Sequence, residues 1–331
     1  MSPQLSVIIP TYNSADRIGT TIGHLVARCR LTTEIIVVSD ASTDATAEVL
    51  TALVARHPGL TVIRHDTNHG AGAARNTGFA RATGDYTLFL DDDDIVLDGA
   101  IDRLHAEAEQ SGADLVIAPY MTAPDDRTEP GPMHNDDRKF WDSVMTESSR
   151  RTFAPTENPG VLKTTNYPWN KLCRTAYLRR IGLRFSTTPV HNDIFAHWQM
   201  LMNCQSYHVS DIPVCIHIVS PQGSNITNIW DERRLAMFQV LDELNAYFDE
   251  NPVLRERYYS IFLSFCVTLL DWARNRTPAA QRPGLAAGIA RFLTDLTVRD
   301  YVRLSRSDRP AADRLVRMKF DTHDFARIGA A

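Results

Sequence analysis

Four carboxylates in a row, Asp91-Asp92-Asp93-Asp94, follow directly on the apolar run Tyr86–Leu90. Adjacent like charges repel, and each carboxylate is costly to desolvate without a positive partner. Hard divalent cations prefer carboxylate oxygens, so a bound metal is one reading and a solvated acidic turn the other. Three more polar stretches close apolar runs earlier in the chain. They are Pro10-Thr11-Tyr12-Asn13, Ser39-Asp40-Ala41-Ser42-Thr43-Asp44, and Asn68-His69-Gly70-Ala71-Gly72-Ala73-Ala74-Arg75-Asn76. Further on stand Trp169-Asn170-Lys171-Leu172 and His191-Asn192-Asp193-Ile194-Phe195, the latter with an acid at the start of a helical pattern.

The elements that must carry these residues alternate. Apolar runs at 5–9, 34–38, 61–63, 86–90 and 115–118 read as strands. Between the first two, Ile18, Ile22, Leu25, Val26 and Cys29 recur at helical spacing. Val49, Leu50, Leu53 and Val54 mark a second helix that Ser42 or Thr43 can cap, and helices are predicted over 72–82 and 101–108. Near-continuous apolar strands separated by helices predict a largely parallel sheet covered on both faces. The polar stretches then converge on the rim formed by the carboxyl ends of the strands. Residues 121–168 read as a long loop with isolated aromatics, among them Phe140, Trp141, Phe153 and Tyr167, and such length points to function. Helices over 175–181 and 194–202 and strands over 207–209 and 215–219 follow. After Trp230 the pattern is helical, at 233–248, 254–273 and 285–296.

Composition narrows the classes. Hydrophobic residues make up 44% and charged residues 23%, which predicts a packed core. A net charge of −5 argues against broad binding to nucleic acid or anionic membranes. The five cysteines are odd in number, widely spaced and without a CxxC, so reduced core thiols are expected in place of a disulfide framework or zinc site. No window approaches the roughly 20 apolar residues of a membrane span, and no basic and apolar leader is evident, so a cytoplasmic location is expected. Arg255, Arg257, Arg274 and Arg276 near the apolar stretch 261–267 leave peripheral membrane contact open, and the helical tail leaves homo-oligomerisation open.

The four strand-end motifs, in this order, resemble those of the family 2 glycosyltransferases of the GT-A fold. The family signatures are P-x-Y-N, V-D-D-G-S-x-D, N-x-G-x-x-x-A-R-N and F-L-D-x-D-D. The resemblance covers roughly Leu5 to Trp230. It implies a GT-A catalytic domain over 1–230, with a nucleotide-sugar half over about 1–120 and an acceptor half over about 121–230, followed by a helical region at 231–331. It also implies a nucleotide-sugar donor, a divalent metal (Mn²⁺ or Mg²⁺), and direct displacement with inversion at the anomeric carbon. The acceptor would be a glycan, a lipid-linked compound or a small molecule.

On this resemblance Pro10, Thr11, Tyr12, Asn13, Asp40, Asn68, Gly72, Arg75, Asp91 and Asp92 belong to the donor nucleotide. Asp40 can accept a hydrogen bond from an imide N–H, which uracil offers and cytosine does not; its alternative is to cap the following turn. Asp44 is expected to cap a helix. Asp93 is the expected metal ligand. His217 either completes the metal shell or faces inward on its strand. The family's acid pair near W-N-K-L implies that Asp193 is the catalytic base, with helix capping as its alternative. Asn192 stands where the family has Glu. Trp169, Asn170, Lys171 and Asn192 are assigned to the acceptor and sugar, although Trp169 reads equally well as a core aromatic. The stretch Ser220–Thr227 resembles a segment that closes over the diphosphate, without the Arg or Lys that relatives often carry there.

Two other classes share parts of this pattern. A sugar-phosphate nucleotidyltransferase would open with a Gly-rich, Arg-containing loop after its first strand, where this chain has Pro10-Thr11-Tyr12-Asn13-Ser14. A degenerate nucleotide-sugar binding module would not need Asp93 and Asp193. The stretch Gly70-Ala71-Gly72-Ala73-Ala74 mimics a dinucleotide fingerprint, but it follows the third strand and continues with Arg75.

Overall fold

The computed structural model describes residues 3–147, 149–219 and 231–328. Its first part alternates as β1 (Leu5–Thr11), α1 (Ile18–Arg28), β2 (Thr33–Asp40), α2 (Thr46–Arg56), β3 (Leu60–His65), α3 (Ala71–Phe79) and β4 (Tyr86–Phe89). Then come β5 (Ile95–Val96), α4 (Ala100–Ser111), β6 (Leu115–Ile117), β7 (Met121–Ala123), β8 (Gly131–Pro132), α5 (Asn135–Glu147) and β9 (Thr152–Phe153). β10 (Lys171–Arg174), α6 (Thr175–Arg180), α7 (Ile194–Asn203), β11 (Tyr207–Val209) and β12 (Cys215–Ile218) follow. Five helices end the described chain: α8 (Met237–Glu250), α9 (Pro252–Arg276), α10 (Arg282–Thr294), α11 (Val298–Ser307) and α12 (Arg309–Ile328).

Every residue of β1 is buried, as expected for a strand covered on both faces, and α1 turns Ile18, Ile22 and Leu25 inward. Asp44 is not the N-cap of α2, which is Ala45; one residue earlier, its carboxylate accepts from the Thr46 backbone N–H at 3.0 Å and closes the turn into the helix. Ser42 instead accepts from the Asn13 N–H at 3.1 Å, so the expected cap at Ser42 or Thr43 is corrected. Helix α4 stops at Gly112, whose φ of 65° is a left-handed conformation that glycine adopts without steric cost.

The main sheet has eight strands in the order β3-β2-β1-β4-β10-β6-β11-β9. β1, β2, β3 and β4 run parallel, whereas β10 runs antiparallel to both β4 and β6, so the sheet is mixed. The reversal brings the amino end of β10, with Lys171, to the rim where the parallel strands end. A second sheet of four short strands, β5-β12-β7-β8, lies beyond the acid cluster in sequence. The nucleotide-sugar and acceptor halves expected from the sequence share one sheet, since β10 is inserted between β4 and β6. The core between sheet and helices includes Val7, Ile9, Ile22, Val37, Leu50, Leu88, Leu104 and Val116. Each such side chain, fully buried, contributes about 1.5–3 kcal/mol of hydrophobic stabilisation.

Residues 121–168 are not one loop: they hold β7, β8, α5, β9 and a 3₁₀ turn at Pro159–Lys163. These strands have two or three residues, too few to show alternation, and among the described side chains of α5 only Asp137, Trp141 and Val144 are buried.

By its contacts the chain divides into two units, with Thr188–His191 grouped with the carboxyl-terminal helices. Within that helical unit Phe248 packs on Phe262 and Tyr259, and Leu263, Cys266 and Val267 are buried on α9. α11 and α12 extend it past the helices expected from sequence. The boundary expected near Trp230 and the stretch Ser220–Thr227 lie outside the described residues. All five cysteines are free thiols. Among the described residues no helix is long and apolar enough to cross a membrane.

Candidate active site

The carboxyl ends of β1, β2 and β4 bring three of the four motifs to one rim. At the end of β4 the four acids separate into different environments. Asp92 turns towards β1 and α1. It accepts hydrogen bonds from the hydroxyls of Thr11, at 2.7 Å, and Ser14, and pairs with Arg17 Nε at 3.3 Å. Its backbone carbonyl takes the Thr21 hydroxyl at 2.8 Å. Thr11 and Asp92, expected at the donor nucleotide, therefore tie the first loop to the acid cluster. Asn13 also joins loops. At φ 50° its side-chain oxygen accepts from the Thr43 N–H at 2.8 Å, which ties the first loop to the second. Pro10 is buried within β1, and Tyr12 is 46% exposed on the rim.

Asp91 accepts from Arg75 Nη2 at 2.5 Å. Arg75, on α3 and 5% exposed, reaches with Nη1 to the side-chain oxygen of Asn192 at 2.8 Å. One guanidinium thus links the acid cluster to the residue beside Asp193. The close approach that permits this needs Gly72: a Cβ there would lie 1.9 Å from the Ser186 carbonyl oxygen and 3.0 Å from Asn192 Cβ. Gly72 is a packing residue and Asn68 an exposed one.

Asp94 is fully buried and pairs through Oδ1 with His217 Nδ1 at 2.8 Å, while its Oδ2 is buried without a partner. This orientation follows from β5 lying beside β12, which carries His217. Burial, and after it the charges of Asp94, Asp91 and Asp92, push Asp93 well above the usual carboxylate range, against the pull of His217. Burial raises Asp94 as well, and the Asp94 carboxylate raises His217 against the desolvation of its ring.

Arg75, Arg17 and His217 partner Asp91, Asp92 and Asp94, which leaves the raised Asp93 carboxyl and the orphaned Asp94 Oδ2 as the oxygens that a divalent cation would compensate. Among the described residues no group of three or more His, Cys, Asp or Glu side chains is arranged to hold a metal alone. With Nδ1 engaged by Asp94, His217 would have only Nε2 to offer such an ion.

Asp40 is 3% exposed, and its carboxylate accepts from His65 Nδ1 at 2.6 Å, the Gly70 N–H at 2.6 Å and the His69 N–H at 3.0 Å. It shapes the loop that opens α3, and a base could reach it only by sharing a carboxylate oxygen.

Asp193 stands at the start of α7, where its side chain makes no capping hydrogen bond. The chain enters this position through His191 in the left-handed region, φ 58°, a conformation of the kind that persists only when the surrounding structure holds it. Burial pushes the Asp193 carboxyl up to about 6, with the Arg75 guanidinium pulling it down. A carboxyl at that value is poised to take a proton near neutrality.

The W-N-K-L stretch enters β10 at the same rim but is fully buried. Trp169 stacks on Tyr167 with ring centroids 4.5 Å apart and offers no face to a sugar, so its core reading holds. Lys171 donates to the Tyr167 carbonyl at 2.6 Å and to the Asn170 side-chain oxygen at 2.7 Å, and burial draws its ammonium down to about 8. Sequence reasoning gave no role to Asp94, Tyr167 or His134. The Tyr167-Pro168-Trp169 run, aromatic on both sides of a proline, was the available signal for Tyr167.

Residues 6–182 match the family model described as Glycosyl transferase family 2. The glycosyltransferase GlyG of Streptococcus pneumoniae is 32% identical over 120 residues, which is 36% of this chain and 40% of that protein. The chain spans about half or less of the length of the curated relatives it matches. Among solved structures, S. aureus TarS 1–349 in complex with UDP-GlcNAc superposes with a TM-score of 0.66 at 19% identity, covering 98% of this chain and 92% of that one. The mannosyltransferase PcManGT of Pyrobaculum calidifontis, in complex with GDP-Man and Mn²⁺, gives a TM-score of 0.53 at 18% identity, covering 97% of this chain and 87% of that one. Both likenesses are likenesses of fold, a GT-A-like mixed sheet with helices and a helical carboxyl-terminal region.

Proposed function

The chain belongs to glycosyl transferase family 2 and is a glycosyltransferase, and from that premise we propose that it moves a sugar from a UDP-sugar to an acceptor hydroxyl with inversion, assisted by a divalent metal. The observation that carries this reading is the Arg75 bridge. Its guanidinium holds Asp91, in the acid cluster, and Asn192, next to Asp193, on one rigid link.

In the proposed reaction the acceptor oxygen bonds to the anomeric carbon as the carbon–oxygen bond to the diphosphate breaks. The bonding pair leaves with the diphosphate, and the hydroxyl proton passes to Asp193. Attack opposite the leaving group inverts the centre. Asp193 is suited to the base role because it is raised to about 6 and free of a capping bond. Asp93 would hold the cation, which when bound neutralises charge on the departing diphosphate. Arg75 keeps Asp91 in place beside it.

Of the two superposed neighbours, one was solved with UDP-GlcNAc and the other with GDP-Man and Mn²⁺. Because Asp40 is engaged by the protein, the base preference is best decided by titration. Isothermal titration with UDP, GDP, CDP and dTDP, each with Mn²⁺ and again with EDTA, tests the donor side. Tight UDP binding that disappears in EDTA is expected. Preference for another nucleotide overturns the UDP assignment, and binding indifferent to EDTA overturns the metal. Hydrolysis of UDP-sugars by the metal-loaded protein then tests turnover, and the anomeric configuration of the released sugar tests inversion.

A further inference from the structure

The proposed displacement uses no group of Tyr167, yet the surrounding structure holds this side chain on several sides. Its ring stacks on Trp169 at 4.5 Å and 18°, and it lies beside His217 at 4.8 Å. The edge of Tyr120 meets it at 5.5 Å. Tyr120 is itself fixed, its hydroxyl donating to Asp137 at 2.6 Å, and Asp137 also accepts from the Thr165 N–H at 2.8 Å and the Thr165 hydroxyl at 2.5 Å. The Tyr167 carbonyl is held by Lys171 Nζ at 2.6 Å.

With ring and backbone held, the phenol hydroxyl lies 3.3 Å from Nε2 of His134, an exposed residue at the start of α5. The neighbouring His217 holds Asp94 at 2.8 Å, which joins the Tyr167 ring to the acid cluster, and burial followed by the carboxylates of Asp193, Asp94, Asp137 and Asp91 raises this phenol. Next to it the side-chain oxygen of Asn166 is buried without a partner. A phenol and an imidazole each donate and accept hydrogen bonds, so the pair suits a ligand oxygen that also does both.

We propose that Tyr167, supported by His134, is the acceptor-positioning residue: its hydroxyl orients the attacking oxygen of a hydroxyl-bearing acceptor towards Asp193. This rests on the glycosyl-transfer reading and adds the residue that aims the nucleophile. Water can stand in for the acceptor hydroxyl, so uncoupled hydrolysis of the donor is a sufficient probe.

The test compares wild type, Tyr167→Phe and His134→Gln in Mn²⁺, using the UDP-sugar that wild type hydrolyses fastest. Phe keeps the stacked ring and removes only the hydroxyl. Losing one orienting hydrogen bond should lower kcat about tenfold, with donor KM and UDP affinity unchanged; His134→Gln should lower kcat less. A purely packing role predicts that Tyr167→Phe leaves kcat alone, and that result overturns the inference. So does a change in UDP affinity without a change in kcat, which would place the hydroxyl on the donor. If wild type binds no nucleotide and hydrolyses no donor, the donor reading fails first and takes this inference with it.

Discussion

Replacing Asp193 with Asn should separate a catalytic gain from a structural cost. Folding carries this carboxyl from an ordinary 3.8 to about 6. Between those values the native state binds more protons than the unfolded chain. The contribution of the group to stability is therefore complete below 3.8 and is lost as pH rises through about 6. The whole shift is worth about 3 kcal/mol, at roughly 1.36 kcal/mol per pH unit. Asn has no proton to take up, so on going from pH 7 to pH 5 wild type should gain about 1.3 kcal/mol relative to Asp193→Asn. Urea unfolding of both proteins at several pH values across this range measures the difference. Activity should move the other way: without the base, donor hydrolysis should fall by about 10²–10⁴ in kcat while UDP affinity holds. The wild-type rate should show an acid limb centred near 6. A stability difference that stays flat from pH 5 to pH 7 would refute the buried, raised carboxyl, and a variant with the wild-type rate would refute the base.

Three further substitutions address the other parts of the site. Asp93→Asn should reduce UDP affinity in Mn²⁺ to the level that wild type shows in EDTA, read by calorimetry. Asp92→Asn should instead destabilise the fold by about 1–3 kcal/mol in urea, through weakened bonds to Thr11, Ser14 and Arg17, and leave metal-dependent UDP affinity in place. Gly72→Ala should destabilise by about 1–3 kcal/mol, because its methyl group would meet a backbone carbonyl that cannot move without shifting Asn192. A thermal unfolding midpoint equal to wild type would contradict that packing.

The parts of the molecule that were legible in the sequence are those where one physical signal dominates. β1, β2 and β4 are covered on both faces, and their apolar runs end where the chain reaches the rim, so strands and motifs were visible together. α7 and α9 declared themselves through long buried faces. The stretch 121–168 did not, because β7, β8 and β9 have two or three residues each and gain their definition from pairing with distant strands. The direction of a side chain was equally invisible. Asp91, Asp92, Asp93 and Asp94 are chemically identical in sequence, and only the placement of β1, α3 and β12 around them sends Asp92 to Thr11, Asp91 to Arg75 and Asp94 to His217. Trp169 and Lys171 fit a motif but are buried, Trp169 against Tyr167 and, from distant parts of the chain, Tyr120 and His217, contacts that no local pattern encodes.

The insertion of β10 between β4 and β6 has a consequence for how the protein is made. A chain emerging from the ribosome can pair β1 to β4 as they appear, but it cannot place β6, which touches the rest of the sheet only through β10 and β11. Until Cys173 has been synthesised and has found Thr87, β4 keeps an open edge of unpaired N–H and C=O groups on an apolar strand. Such pairing over a long stretch of chain is slow, and an open edge in the meantime can recruit the wrong neighbour. The strand that delivers Lys171 to the rim is therefore also the one that seals the nascent sheet.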